Sequence, residues 1–196
     1  MNPGESIALA HAASSIVLSY PDEQLMNLLP SLRQAAQELP PSFAEPLRRT
    51  LSYLDSTPLS EAAAHYVDTF DLRRRCCLHL TYYTHGDTRR RGVALLRFKH
   101  VYREVGLTVT ESELPDHLAV VLEFSATGYP AAALELLINH RAGLDMLAGA
   151  LHRLGSPYAH AVDAVRATLP LPDQADLLAV QRLAHDGPPS EQVGVS

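Results

Sequence analysis

The chain has 196 residues, 46% of them hydrophobic and 19% charged, with a formal net charge of -6. This is enough apolar material to build a core and argues against a disordered chain. No run of about 18 uninterrupted apolar residues is present to cross a bilayer, and the first positively charged side chain is Arg33, so the N-terminus lacks the basic start of a secretory signal and a cytoplasmic protein is expected.

Helical periodicity dominates, and strand-length alternation is rare. A first helix is predicted from Glu5 to Ser19, ended at Tyr20-Pro21 because a residue preceding proline avoids the helical region. Asp22 caps a second segment through Leu29, where Pro30 either kinks it or opens another helix ending ahead of Pro40-Pro41. A helix follows over Ser42 to Leu54, and Pro58 with Ser60 opens the one carrying Tyr66 and Phe70.

The centre, DLRRRCCLHLTYYTHGDTRRRG, reads as two helices joined at Gly86-Asp87-Thr88, with glycine suited to the position after a helix and aspartate to the next cap. The second runs to Val105 and stops at Gly106; Leu95, Phe98, Tyr102 and Val105 share its packing face, with Arg89, His100 and Arg103 opposite. Pro115 marks the start of a helix to Ser125. Further helices are predicted over residues 131–140, 142–154, 157–168 and 173–185, divided by Gly155 and by Pro170 with Pro172. The expectation is a single all-α domain of nine to eleven helices over residues 1–186, with a disordered tail over 187–196.

The chemical motifs of several enzyme classes are missing: there is no GxSxG, GxxxxGK[ST], HExxH or GxGxxG. Ten histidines are scattered without a ligand pair. Cys76 and Cys77 are adjacent, which opposes a disulfide between them and lacks zinc-ligand spacing, so both read as small buried hydrophobes. No catalytic residue, metal or cofactor is assigned.

Charge is divided unevenly. Residues 73–103 hold nine of the sixteen basic residues and one acid, Asp87, while the remainder is strongly acidic. Arginines with interleaved aromatics suit phosphate and base contacts, so a helical nucleic-acid-binding regulator is the alternative reading. Against it, each triplet distributes its charge around a helix and no basic recognition helix is evident. A second cluster is Glu113, Asp116, His117 and Glu123: on a helix starting at Pro115, Asp116 and Glu123 are seven apart and share a face. First-turn acids answer the helix dipole, and the same set suits a cationic peptide side chain or a metal.

The run from Tyr66 to Leu107, YVDTFDLRRRCCLHLTYYTHGDTRRRGVALLRFKHVYREVGL, followed by ELPDHLAVVLEF, resembles the nitrate reductase molybdenum cofactor assembly chaperones, also called the nitrate reductase delta subunit family, within the wider TorD-like group of helical chaperones. The group's aromatic motif falls on Tyr66 to Phe70, with Thr69 where many relatives have leucine; its acidic motif falls on Glu113, Asp116, His117 and Glu123, with Pro115 ahead of Asp-His. The resemblance implies a non-catalytic cytoplasmic chaperone. Its partners would be the N-terminal segment of the nitrate reductase catalytic subunit and molybdenum cofactor biosynthesis proteins, with no nucleic acid and no insertion into the membrane. It would aid cofactor insertion and complex assembly before membrane docking. Tyr66, Phe70, Leu80, Tyr82, Tyr83, Glu113, Asp116, His117 and Glu123 are the candidate partner-binding residues; for Leu80, Phe98 and Tyr102 the spacing also fits plain core packing.

Overall fold

The computed structural model describes residues 1–108 and 113–189, and among these it contains eleven α-helices and no strand. They are α1 (Pro3–Val17), α2 (Glu23–Glu38), α3 (Pro41–Ser56), α4 (Leu59–Tyr66), α5 (Leu80–His85), α6 (Arg89–Glu104), α7 (Leu118–Ala126), α8 (Pro130–Asn139), α9 (Arg141–Leu154), α10 (Tyr158–Ala167) and α11 (Gln174–Asp186). The expected single all-α domain is what the chain forms.

Local sequence explains most of the helix ends. Asn2 and Glu5 satisfy each other's backbone N–H groups, both at 2.9 Å, as a capping box for α1. Asp22 Oδ1 accepts from the Leu25 N–H at 2.8 Å, and Asp173 with Asp176 repeats the capping box on α11. Pro30 does not divide α2, which runs through it with the proline on its exposed face. Gly155, at φ 69°, takes the left-handed conformation that ends α9.

Two stretches depart from expectation. The helix carrying Tyr66 and Phe70 does not stop as an α-helix: it widens into a π-helical turn over Val67–Asp71, closed by the Leu72 N–H on the Val67 carbonyl at 3.1 Å. A short 3-10 turn, Arg74–Cys76, follows, so the first arginine triplet lies on a connector and the helix after it, α5, is only six residues long.

The core gathers around α1, which packs on α7, α10 and α2, while α3 lies against α10 and α2, and α9 against α10 and α11. Tyr158, fully buried, is ringed by Tyr53, His65, Tyr66 and Phe70 at centroid distances of 5.1 to 6.1 Å. Aromatic pairs of this kind contribute about 0.5–1.5 kcal/mol each beyond the area they bury. The Tyr66 hydroxyl donates to the Leu18 carbonyl at 3.0 Å, which ties the end of α4 to the end of α1. His11 bridges the Ser125 hydroxyl at 2.7 Å and the Thr168 hydroxyl at 2.8 Å inside the core, whereas among the described residues the buried Ser14 and Tyr158 hydroxyls meet no hydrogen-bond partner. Burial pushes the His11 imidazole down to about 4, so it is neutral at physiological pH.

The joint between α5 and α6 sits where the sequence places it. Gly86 has φ 54° and ψ -151°, and a Cβ there would lie 1.7 Å from the Pro189 carbonyl oxygen. Glycine is needed twice over, for the backbone angle and for the chain that crosses it after α11. Beyond Pro189, the expected tail lies outside the described residues. α6 then turns Ala94, Phe98 and Tyr102 inward. Phe98 meets the His140 ring at 4.9 Å, Tyr102 meets Phe124 at 4.7 Å, and the Tyr102 hydroxyl donates to the Pro115 carbonyl at 2.7 Å.

Candidate partner-binding site

The two sequence clusters meet through their backbones. The Leu80 N–H donates to the Asp116 carbonyl at 3.0 Å and the Leu118 N–H to the Leu78 carbonyl at 2.9 Å, an antiparallel bridge that sets His79 opposite His117. This bridge changes the helix start: α7 begins at Leu118 and not at Pro115, because residues 114–117 make a turn, with the His117 N–H on the Leu114 carbonyl at 3.1 Å, and then the bridge. Asp116 and Glu123 therefore do not share a helix face.

Asp116 turns inward and has no exposed surface. Its Oδ2 accepts from the Thr81 N–H at 3.1 Å and from the Thr81 hydroxyl, and its Oδ1 lies 3.2 Å from His79 Nδ1. The Arg91 guanidinium is 3.9 Å from the same carboxylate and donates from Nε to the Thr81 hydroxyl at 3.2 Å. Burial alone would raise the Asp116 carboxyl, but the hydrogen bonds from His79 and Thr81 outweigh it and hold the group below the usual aspartate value. In effect Asp116 caps α5 from a segment 35 residues further along the chain.

Four other candidates are interior too. Tyr66 and Phe70 face Tyr158, Leu80 is in the core, and buried Tyr83 donates to the Arg75 and Cys77 carbonyls at 3.2 and 3.0 Å. Gly143 of α9 makes room for that ring, since a Cβ there would meet it at 3.0 Å. His117 is half-buried with its ring 5.1 Å from that of His79, and burial, then the His79 charge, pushes it down to about 4. Among the described residues no cluster of three or more His, Cys, Asp or Glu side chains could hold a metal.

Glu113 and Glu123 remain, and these the fold does bring together. They are exposed at the edge of a cavity of about 280 Å³ whose floor and walls include Tyr102, Leu107, Val120 and Phe124. Tyr82 lies elsewhere, in a cavity of about 350 Å³ with Arg74, Arg75, Met146, Arg153 and Leu183, between α5, α9 and α11. Val120 and Phe124 on α7 and Thr127 at its C-cap recur at helical spacing and are legible as one stripe; Leu107 and Thr108, placed by the exit from Gly106, have no local signal. Three of the central arginines pair close to home: Arg73 with Asp68 at 2.9 Å, Arg74 with Asp87 at 3.4 Å, and Arg91 with Asp87 at 3.6 Å.

With this geometry in place, the chain can be set beside known proteins. A family model described as nitrate reductase delta subunit matches residues 36–164. The nitrate reductase-like protein NarX of Mycobacterium tuberculosis is 41% identical over 152 residues, which is 78% of this chain but only 23% of NarX. The probable nitrate reductase molybdenum cofactor assembly chaperone NarJ of Bacillus subtilis is 33% identical over 165 residues, 82% of this chain and 88% of that one. NarJ of Escherichia coli K12, named as a nitrate reductase molybdenum cofactor assembly chaperone, is 32% identical over 148 residues, 74% of this chain and 63% of its own.

Proposed function

This chain belongs to the nitrate reductase delta subunit family, and from that membership we propose that it is an assembly chaperone which binds the N-terminal segment of the nitrate reductase catalytic subunit in the cavity between α6 and α7. The observation that carries the site is the pairing of an apolar floor, Leu107, Val120 and Phe124, with two exposed carboxylates, Glu113 and Glu123. An amphipathic helix fits such a groove by laying its apolar side on the floor and its basic residues against the rim. The aromatic floor is held rigidly, because Tyr102 is locked by its hydrogen bond to Pro115 and Phe124 is stacked on Tyr129 at 5.2 Å. A rigid floor lowers the ordering cost of capture.

The chaperone works without chemistry of its own. Holding the segment keeps the apo catalytic subunit open for molybdenum cofactor insertion and delays its docking to the membrane-bound partner. Release follows when the matured subunit no longer presents a free segment. The setting is the cytoplasm; no helix among the described residues is long and apolar enough to cross a membrane.

Calorimetric titration with a synthetic peptide of the catalytic subunit's N-terminal segment tests the reading. Saturable binding is expected, with the peptide gaining helicity and affinity falling about tenfold in the Glu113→Lys, Glu123→Lys double variant, as two rim charges at ~0.2–1 kcal/mol each allow once reversed. Absence of saturable heat overturns the function; binding unchanged in the double variant overturns the site.

A further inference from the structure

We propose that the outward face of α6 is a docking surface for an anionic lipid bilayer. The buried stripe Ala94, Phe98 and Tyr102 fixes which side of the helix faces the core. At 100° per residue, Arg89, Val93, Leu96 and His100 run along the middle of the opposite face. Arg90 and Arg97 flank that line on one side, and Lys99 and Arg103 on the other. Val93 and Leu96 are each 59% exposed. Among the described residues no carboxylate forms an ion pair with Arg90, Arg97, Lys99 or Arg103, and the helix's single acid, Glu104, lies at its end beside His100 at 3.2 Å.

An aliphatic line with cations along both edges is the pattern of a helix that rests on a membrane surface, its apolar side chains among the acyl chain ends and its basic groups at the headgroup phosphates. Charge complementarity points the same way: outside residues 73–103 the chain has 7 basic and 21 acidic residues, so an anionic surface favours an approach that presents α6. Val93 and Leu96 at the centre of the strip can neither read base edges nor stack on bases, and His100 is turned to Glu104 at 3.2 Å, which favours a lipid surface over a nucleic-acid one. At 16 residues α6 offers a contact about 24 Å long, enough for peripheral, reversible attachment. A basic residue near an anionic bilayer multiplies partitioning roughly fivefold, so four give an attraction of several hundredfold before repulsion from the acidic remainder is counted. The α6 face is separate from the groove proposed for the catalytic subunit.

The test is co-sedimentation of the full-length protein with vesicles of phosphatidylcholine alone or of equimolar phosphatidylcholine and phosphatidylglycerol, at low and high salt. Binding to the anionic vesicles is expected to exceed binding to the neutral ones by tenfold or more and to vanish at high salt, where the screening length falls to about 3 Å. The Arg97→Glu, Arg103→Glu variant should lose at least tenfold, and the Val93→Ser, Leu96→Ser variant severalfold, both with unchanged circular dichroism and unchanged catalytic-subunit peptide affinity. No preference for anionic vesicles overturns the proposal. Sensitivity to the arginine variant with none to the serine variant also overturns it, because that surface would be a site for acids in general.

Discussion

Replacing Asp116 with alanine should cost about 4 kcal/mol of folding stability, most of it through the scaffold. The carboxylate is wholly buried and accepts from the Thr81 N–H, the Thr81 hydroxyl and His79. Each charge-assisted bond is worth about 1.5–3 kcal/mol singly, but the three share one acceptor and do not add. The better bound is the ~3–5 kcal/mol lost when one member of a buried charged pair is removed, taken at its middle because Arg91 keeps Asp87 at 3.6 Å while the Thr81 and His79 donors are left without their acceptor. For a chain of this size that lowers the melting temperature by about 10 °C. Asp116→Asn keeps the shape and one acceptor oxygen, so about 2 kcal/mol is expected. Urea unfolding followed by circular dichroism at neutral pH measures both. The folded-state carboxyl lies below its ordinary value, so the stability it supplies is complete above the unfolded pKa of about 4 and is lost as pH falls through the folded one. The acid limb of the stability curve should therefore flatten in Asp116→Asn. An alanine variant within 1 kcal/mol of the parent, or one that keeps full stability yet loses peptide binding, would refute the reasoning.

His11 gives a second pH signature: its pKa of about 4 lies below the unfolded value of 6.5, so stability is full above pH 6.5 and declines from there to about pH 4. His11→Gln should reduce that slope by about one proton, or ~1.4 kcal/mol per pH unit, in denaturation series across the window. Gly86→Ala should destabilise by about 1–3 kcal/mol, part of which returns when residues 187–196 are deleted, since deletion removes the Pro189 clash but leaves the backbone strain; thermal melts of the four combinations read the coupling. Single Glu113→Gln and Glu123→Gln variants should weaken catalytic-subunit peptide binding by no more than about fivefold each, mainly in the association rate and less at high salt, as stopped-flow mixing would show.

What the sequence discloses follows from how local each determinant is. Caps at Asp22 and Asp173, the prolines at 40 and 41, and the glycines at 86 and 155 act within a few residues, and helix boundaries there are legible. The packing side of α6 is legible too, because Phe98 and Tyr102 are large enough to declare it. Asp116 is misread for the opposite reason: its partners are Thr81 and His79, and nothing near residue 116 announces them. The preference of proline for helix starts points to Pro115, yet the bridge to Leu78 and Leu80 withholds those residues from α7. Likewise His11 finds Ser125 and Thr168 only after folding, and the aromatic pair Tyr66 and Phe70, read from the family motif as partner-facing, is consumed by Tyr158.

The bridge between His79 and His117 also fixes the chain's exit and return at one point. The excursion that includes α5 and α6 leaves the body and rejoins it side by side, and α6 contributes only one narrow stripe to the core. One motion would break both hydrogen bonds of the bridge, Leu80 N–H to Asp116 and Leu118 N–H to Leu78, while Phe98 and Tyr102 keep α6 in the core. The Leu80 and Leu118 amides, 38 residues apart in the chain, should accordingly exchange with solvent at a common rate.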